Sequence, residues 1–213
     1  MDEFASPENF KKAAEHLKIN DPILGEVIKK APLPTFSPNK RYYQKLVESI
    51  IGQQLSVKAA DTILKRFVNL FSADFPSPED IMATDIETMR SVGLSRQKAS
   101  YIKDLAEKVL DGSVAFTHLD ELSNKEVIAE LVQIKGVGVW TVHMFLMFCM
   151  GRLDVLPTGD LGIRNGMHRL YGLSEKPTPE AMEMLAIDNH WHPYESIASW
   201  YIWYSLDNKP AVS

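Results

Sequence analysis

The stretch DVLPTGDLGIR, residues 154–164, carries an aspartate, Asp160, directly before a segment with helical spacing. A carboxylate can act as a general base toward water, or it can stabilise positive charge that develops in a transition state. An aspartate at this point is also suited to cap a helix over 161–171, because its oxygen can accept a first-turn amide hydrogen. By itself the stretch predicts an N-cap, and both roles can hold at once.

A second stretch, QIKGVGVWTVHMF at residues 133–145, places Gly136 and Gly138 two positions apart in an apolar run. We predict helices over Glu126–Val132 and Trp140–Met150, joined by a turn too tight for side chains at the glycines. Such a turn exposes the unpaired amides and the positive dipole end of the second helix, which is an anion site. A plain αα-hairpin with a glycine turn explains this stretch equally well.

The segments that must position these residues have helical rather than alternating apolar spacing, and the sequence predicts an all-α protein. Residues 42–71 indicate two helices broken near Gly52–Ser56, with Ser56 as an N-cap. The S/T-x-x-E patterns at 84–87 and 123–126 predict capping boxes. Thr178, followed by proline at the first helical position, predicts a further helix start.

Composition excludes several classes of protein. The chain has 213 residues, 45% of them apolar and 24% charged, which is typical of a soluble globular protein. Its one cysteine, Cys149, excludes an internal disulfide and a cysteine-ligated cluster. No apolar run approaches the roughly 20 residues of a membrane span, and the N-terminus is acidic where a signal peptide is basic. We expect a cytoplasmic, nucleoid-associated protein if the source is bacterial or archaeal, and a nuclear one if it is eukaryotic. Its net charge of −5 argues against coating nucleic acid by bulk attraction.

The glycine hairpin and Asp160 together resemble a known family. In the helix-hairpin-helix (HhH-GPD) DNA glycosylases of base-excision repair, an L-x-G-[VI]-G hairpin is followed, after one helix and a short loop, by an aspartate at the position of Asp160. The resemblance covers most of the chain from about residue 40 and includes IIGQQLS at 50–56, VGLSRQKASYI at 92–102 and YESIASWYIWY at 194–204. It is most similar to 3-methyladenine DNA glycosylase II in its compact form, without an N-terminal β-domain.

The resemblance implies an all-α fold of two helical lobes with an active-site cleft between them. One lobe would span about 40–155 and carry the hairpin, and the other would combine about 1–39 with 156–213. It implies a monomer that requires no cofactor and does not bind a membrane. The implied partner is double-stranded DNA containing alkylated bases.

The implied activity is that of a monofunctional DNA glycosylase. It would excise alkylated purines of the 3-methyladenine and 7-methylguanine type by hydrolysing the N-glycosidic bond, with Asp160 as the catalytic residue. Bifunctional relatives carry a lysine where this chain has Trp140, so no lyase activity is expected. Two alternatives stay open: a non-catalytic hairpin module that binds damaged or branched DNA, and a glycosylase for another lesion such as hypoxanthine.

The resemblance also implies roles for further residues. The base pocket would be lined by Trp140, Met144, Trp203 and Tyr204. DNA intercalation would fall to Gln54, with Gln53 beside it. DNA phosphates would be bound by Gly136, Gly138, Thr141 and Lys135. A structural Na⁺ or K⁺ would bind the carbonyls of Val132, Ile134 and Val137. A basic rim could comprise Lys58, Arg96, Lys98, Lys135 and Arg164, although each suits a solvated surface charge. Glu195 departs from the arginine that relatives often carry at this position.

Overall fold

The computed structural model describes residues 4–206, and all the secondary-structure elements within this range are helices. The prediction of an all-α protein is thus confirmed. The α-helices are α1 (Pro7–Asn20), α2 (Pro22–Ile28), α3 (Tyr42–Gly52), α4 (Val57–Val68), α5 (Pro78–Ala83), α6 (Ile86–Ser91), α7 (Arg96–Leu110), α8 (Asn124–Leu131), α9 (Val139–Met144), α10 (Leu161–Leu170), α11 (Pro179–Asp188) and α12 (Glu195–Ser205). A short 3₁₀ turn lies at Leu119–Glu121, and a π-helical segment at Phe145–Met150.

Local sequence signals explain where several helices begin. Ser123 and Glu126 form the predicted capping box of α8, and Ser56 and Thr178 cap α4 and α11 as predicted. The predicted box at 84–87 is wrong by one residue. Asp85, not Thr84, caps α6, because its carboxylate reaches the Thr88 amide at 2.8 Å while Thr84 ends the preceding helix.

The chain divides into two compact units. We call residues 41–142 the hairpin unit; the Asp160 unit joins the residues up to Lys40 with those from His143 onward. The lobe boundary expected near residue 155 therefore differs from the observed division after Val142. The physical reason is aromatic packing, since Phe148 contacts the rings of Phe36 and Trp203 at centroid distances of 5.1 and 6.0 Å.

The hairpin unit places its apolar core on the inner faces of α3 and α7. Leu46 and Ile50 on α3 and Ile102 and Leu105 on α7 are fully buried, at the i, i+4 and i, i+3 spacings of an amphipathic helix. A hydrogen bond of 2.5 Å from the Tyr42 hydroxyl to Asp120 ties the start of α3 to the 3₁₀ turn. These contacts fix α7 as the support on which the hairpin lies.

The Asp160 unit depends on close packing of α10 against α12. A Cβ added at Gly166 would lie 2.3 Å from Cγ2 of Ile202, so only glycine allows this approach. Asp21, fully buried, accepts hydrogen bonds from Trp191 Nε1 at 2.8 Å and the Tyr171 hydroxyl at 2.5 Å. The end of α10 is in this way held to the start of α2.

The helix predicted over Trp140–Met150 begins one residue earlier and changes its winding. It is α-helical over Val139–Met144 and π-helical over Phe145–Met150. It ends at Gly151 with φ of +75°, where an added Cβ would lie 2.5 Å from Pro38. Within residues 4–206, no helix has the length and apolar character needed to cross a bilayer.

Candidate functional site

Asp160 is the N-cap of α10, as predicted, and it is 9% exposed. Its Oδ1 accepts the Ile163 amide at 2.8 Å, the first-turn bond that an N-cap makes. The same oxygen accepts the indole N–H of Trp203 at 2.9 Å. Two donors from different helices therefore hold one carboxylate oxygen, which fixes the side chain in a single orientation at the positive end of the α10 dipole.

Trp203 lies where α12 crosses the start of α10, and it is 7% exposed. One face of its indole stacks on Phe148, with an interplanar angle of 30°. The ring thus combines core packing with a hydrogen bond to Asp160. The predicted role in stacking on a base stays a prediction, whereas the contact with the carboxylate was not foreseen from the sequence.

Gly162 lies directly beside this pair. A Cβ built at Gly162 would be 3.0 Å from Oδ1 of Asp160 and 3.0 Å from Nε1 of Trp203. Both distances are shorter than ordinary van der Waals contact. The sequence DLG therefore lets the indole approach the carboxylate, and a larger residue at 162 would force the two apart.

The hairpin joins α8 to α9 through residues 132–138, and Gly136 is its sterically constrained glycine. Its φ is +81°, a left-handed conformation that side chains disfavour. A Cβ here would lie 2.1 Å from the ring of Tyr101. The turn is consequently packed with its backbone directly on α7, which explains the first of the two glycines.

Gly138 answers to a different requirement. Its φ is not left-handed, and no neighbouring atom lies within 4 Å of a Cβ placed on it. The first helical bond of α9 runs from the Val142 amide to the Gly138 carbonyl at 3.1 Å, so the amides of Val139 and Thr141 precede the intrahelical ladder. The open side of Gly138 faces solvent, next to the positive end of this helix.

Lys135 is held by a buried carboxylate on α7. Its amide donates to Oδ2 of Asp104 at 2.8 Å, and its Nζ lies 2.9 Å from Oδ1. Burial by itself raises the pKa of Asp104, but the hydrogen bonds and charges of Lys135 and Lys108 outweigh it and lower the pKa overall. The same side-chain hydrogen bond raises the pKa of Lys135. The predicted phosphate ligand therefore already has an anionic partner.

The loop after α3 is connected to the hairpin. Gln53 donates its side-chain amide to the Gly136 carbonyl at 2.8 Å. The next residue, Gln54, is exposed and has φ of +58°. Of the two glutamines predicted to intercalate, the structure thus joins one to the hairpin and presents the other to solvent.

The remaining predicted residues differ in exposure. Trp140 is 48% exposed on the first turn of α9, whereas Met144 and Tyr204 are half-buried. Tyr204 stacks on Trp200, with ring centroids 5.8 Å apart. Thr141 is 8% exposed, so its hydroxyl lies largely beneath the surface expected to bind phosphate. These roles stay predictions.

The predicted cation ligands lie at the end of α8 and in the hairpin. Val132 is the C-cap of α8, and the carbonyl of Ile134 accepts the Val137 amide at 3.0 Å. Carbonyl oxygens at a helix end have further lone-pair capacity, and a monovalent cation at these carbonyls stays a prediction. Residues 4–206 contain no cluster of three or more His, Cys, Asp or Glu side chains able to hold a metal.

Glu195 begins α12 and is largely buried. Its Oε1 lies 3.1 Å from Nδ1 of His192, while its Oε2 is buried and has no hydrogen-bond partner. Burial raises the pKa of Glu195, and the interaction with His192 opposes the shift without cancelling it. The ionised carboxylate of Glu195 therefore lowers the stability of the Asp160 unit.

Two residues that support the site, Asp104 and Tyr101, were missed by sequence reasoning, and a third, Lys98, was predicted as part of a basic rim rather than as a support. Asp104 and Tyr101 carry the hairpin, and Lys98 donates to the carbonyls of Ile51 and Gln53. All three lie on α7. A charged residue on the apolar face of a helix, as Asp104 is, was the one available signal.

The helical fold, the glycine hairpin and the position of Asp160 agree with the family that the sequence matches. The model of the HhH-GPD superfamily of base excision DNA repair proteins matches residues 47–188. This chain therefore belongs to the HhH-GPD superfamily. The matched range includes both Asp160 and the glycine hairpin.

Curated relatives are similar over most of the chain. It is 34% identical to the alkylbase DNA glycosidase-like protein mag2 of Schizosaccharomyces pombe over 200 residues, covering 92% of this chain and 93% of the relative. It is 40% identical to DNA-3-methyladenine glycosylase 1 of the same organism over 166 residues, covering 77% and 72%.

Solved structures give the same result. The 3-methyladenine DNA glycosylase of Schizosaccharomyces pombe in complex with abasic DNA superposes with a TM-score of 0.76 at 35% identity, covering 92% of this chain and 97% of that one. A DNA-3-methyladenine glycosidase of Bacillus halodurans superposes with a TM-score of 0.81 at 35% identity, covering 94% and 89%.

Proposed function

We propose that this protein is a monofunctional DNA glycosylase that excises alkylated purines, of the 3-methyladenine and 7-methylguanine type, from duplex DNA. The observation that carries the proposal is the Asp160 carboxylate, which Ile163 and Trp203 hold in one orientation at the start of α10. An N-cap alone needs only the first of these bonds. The names of the relatives support alkylated bases as the substrate.

Asp160 supplies the charge that the reaction requires. Cleavage of an N-glycosidic bond leaves positive charge on the deoxyribose, and a preorganised carboxylate stabilises that charge without reorganising during the reaction. The same group can orient or deprotonate the attacking water. The bond between C1′ and the base nitrogen breaks, its electrons leave with the base, and water adds its oxygen to C1′ while giving up one proton to Asp160 or to bulk water.

Selection of the substrate starts with the leaving group. A purine alkylated at N3 or N7 is already cationic, so it departs without a general acid, unlike normal adenine or guanine. The exposed indole of Trp140 offers an electron-rich face on which such a base can stack, with about 1–2 kcal/mol of cation–π preference. An indole also has no amine to attack the sugar, so no lyase step is part of the proposal.

DNA would be anchored by the backbone of the hairpin. The open side of Gly138 allows a phosphate to approach the first-turn amides of α9 without a side chain intervening. Such binding is independent of sequence and needs little net positive charge, which suits a chain with a net charge of −5. A Na⁺ or K⁺ held by the carbonyls of Val132, Ile134 and Val137 would add a bridge to phosphate.

The direct test is release of 3-methyladenine and 7-methylguanine from methylated duplex DNA by the wild type and by Asp160→Asn. Asparagine still accepts the Ile163 amide and keeps the helix cap, so the variant folds while losing the charge. We expect release to fall by at least roughly a hundredfold, as for other preorganised electrostatic groups. Binding to an abasic-site duplex should persist.

Each other outcome identifies a rival. No release by the wild type, with tight binding to damaged duplex, would make the protein a non-catalytic hairpin module. Release of hypoxanthine but not of methylated purines would make it a glycosylase for that lesion. Undiminished release by Asp160→Asn would remove the carboxylate from the mechanism.

A further inference from the structure

Lys98 is a lysine whose ammonium group faces the protein rather than solvent. Its Nζ donates to the Ile51 carbonyl at 2.7 Å and to the Gln53 carbonyl at 2.6 Å. Both carbonyls belong to the end of α3, where the helix has no amides left to pair with them. The negative end of the α3 dipole adds to the attraction of a cation.

The segment that Lys98 holds is the loop that contains Gln54. Before Gln54, Lys98 fixes the carbonyl of Gln53, and the side chain of Gln53 reaches the Gly136 carbonyl at 2.8 Å. After Gln54, the Leu55 amide returns to the Gly52 carbonyl at 3.1 Å. One short loop is thus fastened to α7 by the side chain of Lys98 and to the hairpin by the side chain of its own Gln53.

Gln54 needs such support because of its backbone. Its φ of +58° is left-handed, a conformation that costs a residue with a Cβ roughly 1 kcal/mol or more and persists where the surroundings impose it. Its side chain is nevertheless exposed. The conformation points a glutamine outward while the side chain of its neighbour, Gln53, is occupied in holding the hairpin.

We propose that Lys98 is a positioning residue for DNA insertion: it fixes the loop so that Gln54 is the inserted side chain and Gln53 is the strut to the hairpin. This inference rests on the proposed function, since it assumes that the hairpin and the loop contact duplex DNA. It gives the half-buried Lys98 a role in holding the loop, in contrast to the phosphate-binding rim that the sequence suggested.

A matched control lies on the same helix. The Nζ of Lys103 donates to the Met82 carbonyl at 2.9 Å, so Lys103→Met also removes a lysine-to-carbonyl bond from α7. Met82 lies on α5 and is not part of the Gln54 loop. Comparing Lys98→Met with Lys103→Met separates loss of loop position from loss of one more surface charge and bond.

The experiment uses a duplex with an abasic-site analogue opposite 2-aminopurine, whose fluorescence reports unstacking when a side chain enters the duplex. The readouts are the fluorescence change at saturating protein and the salt dependence of binding. We expect Lys98→Met to lower the inserted fraction roughly tenfold, because two hydrogen bonds from a charged donor are lost. Its salt slope should equal that of the wild type, and Lys103→Met should retain the full signal.

Two results would overturn the inference. A slope smaller by about 0.9, with the fluorescence change intact at saturation, would make Lys98 a phosphate ligand. An intact signal with an unchanged slope would show that insertion does not depend on Lys98. If Lys98→Met fails to fold, Gln53→Ala tests the same loop, and full insertion by that variant would reject the strut.

The assay needs no base release, so it is independent of the catalytic proposal. A wild type that inserts into the abasic duplex but releases no base would refute the proposed activity and leave the role of Lys98 open to the same comparison. A wild type that releases methylated bases, with Gln54→Ala inserting as well as wild type, would refute this inference alone.

Discussion

The indole N–H of Trp203 donates to Oδ1 of Asp160 at 2.9 Å, joining α12 to the carboxylate that caps α10. This hydrogen bond gives Trp203, which the sequence suggested for base stacking, a further role in orienting the carboxylate. Because Trp203 is buried and stacks on Phe148, its position is set by the core. The hydrogen bond in turn fixes the position of the Asp160 carboxylate, which favours preorganised charge stabilisation.

Trp203→Phe should therefore lower kcat for release of 7-methylguanine. Phenylalanine retains ring packing on Phe148 but has no N–H, so Oδ1 of Asp160 loses the indole donor. The loss is roughly tenfold or more, because a hydrogen bond to a charged group contributes about 1.5–3 kcal/mol. Single-turnover kinetics measure it. Trp200→Phe is the control on the same helix, and equal losses in both variants would argue that packing alone is responsible.

Gly162→Ala should also impair the reaction, although alanine is the better helix former. The added methyl would lie 3.0 Å from both the Asp160 and Trp203 atoms that bond to each other. We expect kcat to fall while the melting temperature changes little, since the helix gains roughly 1 kcal/mol of propensity against the crowding.

Gly159→Ala supplies the comparison for that substitution. Gly159 has no atom within 4 Å of its built Cβ, and its φ is not left-handed. It should release base at the wild-type rate. A Gly162→Ala enzyme as active as Gly159→Ala would mean that the indole and the carboxylate tolerate separation.

The two hairpin glycines should respond differently to alanine. Gly136→Ala places a Cβ 2.1 Å from the Tyr101 ring at φ +81°, so we expect it to lose more than about 2 kcal/mol of unfolding free energy. Gly138→Ala adds its methyl to open space and should unfold like the wild type. Urea denaturation measures both.

Although Gly138→Ala should not change stability, it should change DNA binding. Its added methyl occupies the side from which a phosphate would approach the α9 amides, so Gly138→Ala should weaken binding to an abasic-site duplex at constant salt. Wild-type affinity in this variant would contradict the placement of phosphate at the hairpin.

Glu195→Gln should stabilise the protein at neutral pH. The raised pKa of Glu195 means that folding disfavours its ionised form, because Oε2 is buried without a partner. The gain should be greatest at pH above the folded pKa and should vanish as the pH falls below the ordinary value of about 4.3, where both states bind the proton.

The measurement is the difference in unfolding free energy between Glu195→Gln and wild type from pH 4 to 8. A difference that stays constant across this range would show that ionisation of Glu195 is not its source. DNA binding by the same variant also tests whether this carboxylate opposes a phosphate.

Local signals in the sequence predicted the elements that carry the site. Ser56, Ser123 and Thr178 cap their helices because each has a short polar side chain directly before an apolar periodic segment. Such a cap bonds to an amide three residues on, so it needs no partner that is distant in the sequence. The same reasoning placed Asp160 at the start of α10. The Thr84 box was wrong because Thr84 ends α5 and Asp85, one residue on, caps α6 through the Thr88 amide.

The sequence by itself determined the helices, the glycine hairpin and the single carboxylate, since each depends on residues within a few positions of one another. Only the tertiary structure decided which side chains meet across the chain. Trp203 reaches Asp160 from 43 residues away, and Lys98 reaches Gln53 from 45. Those pairings follow from how α12 packs on α10 and α7 on α3, and spacing along the chain does not encode helix packing.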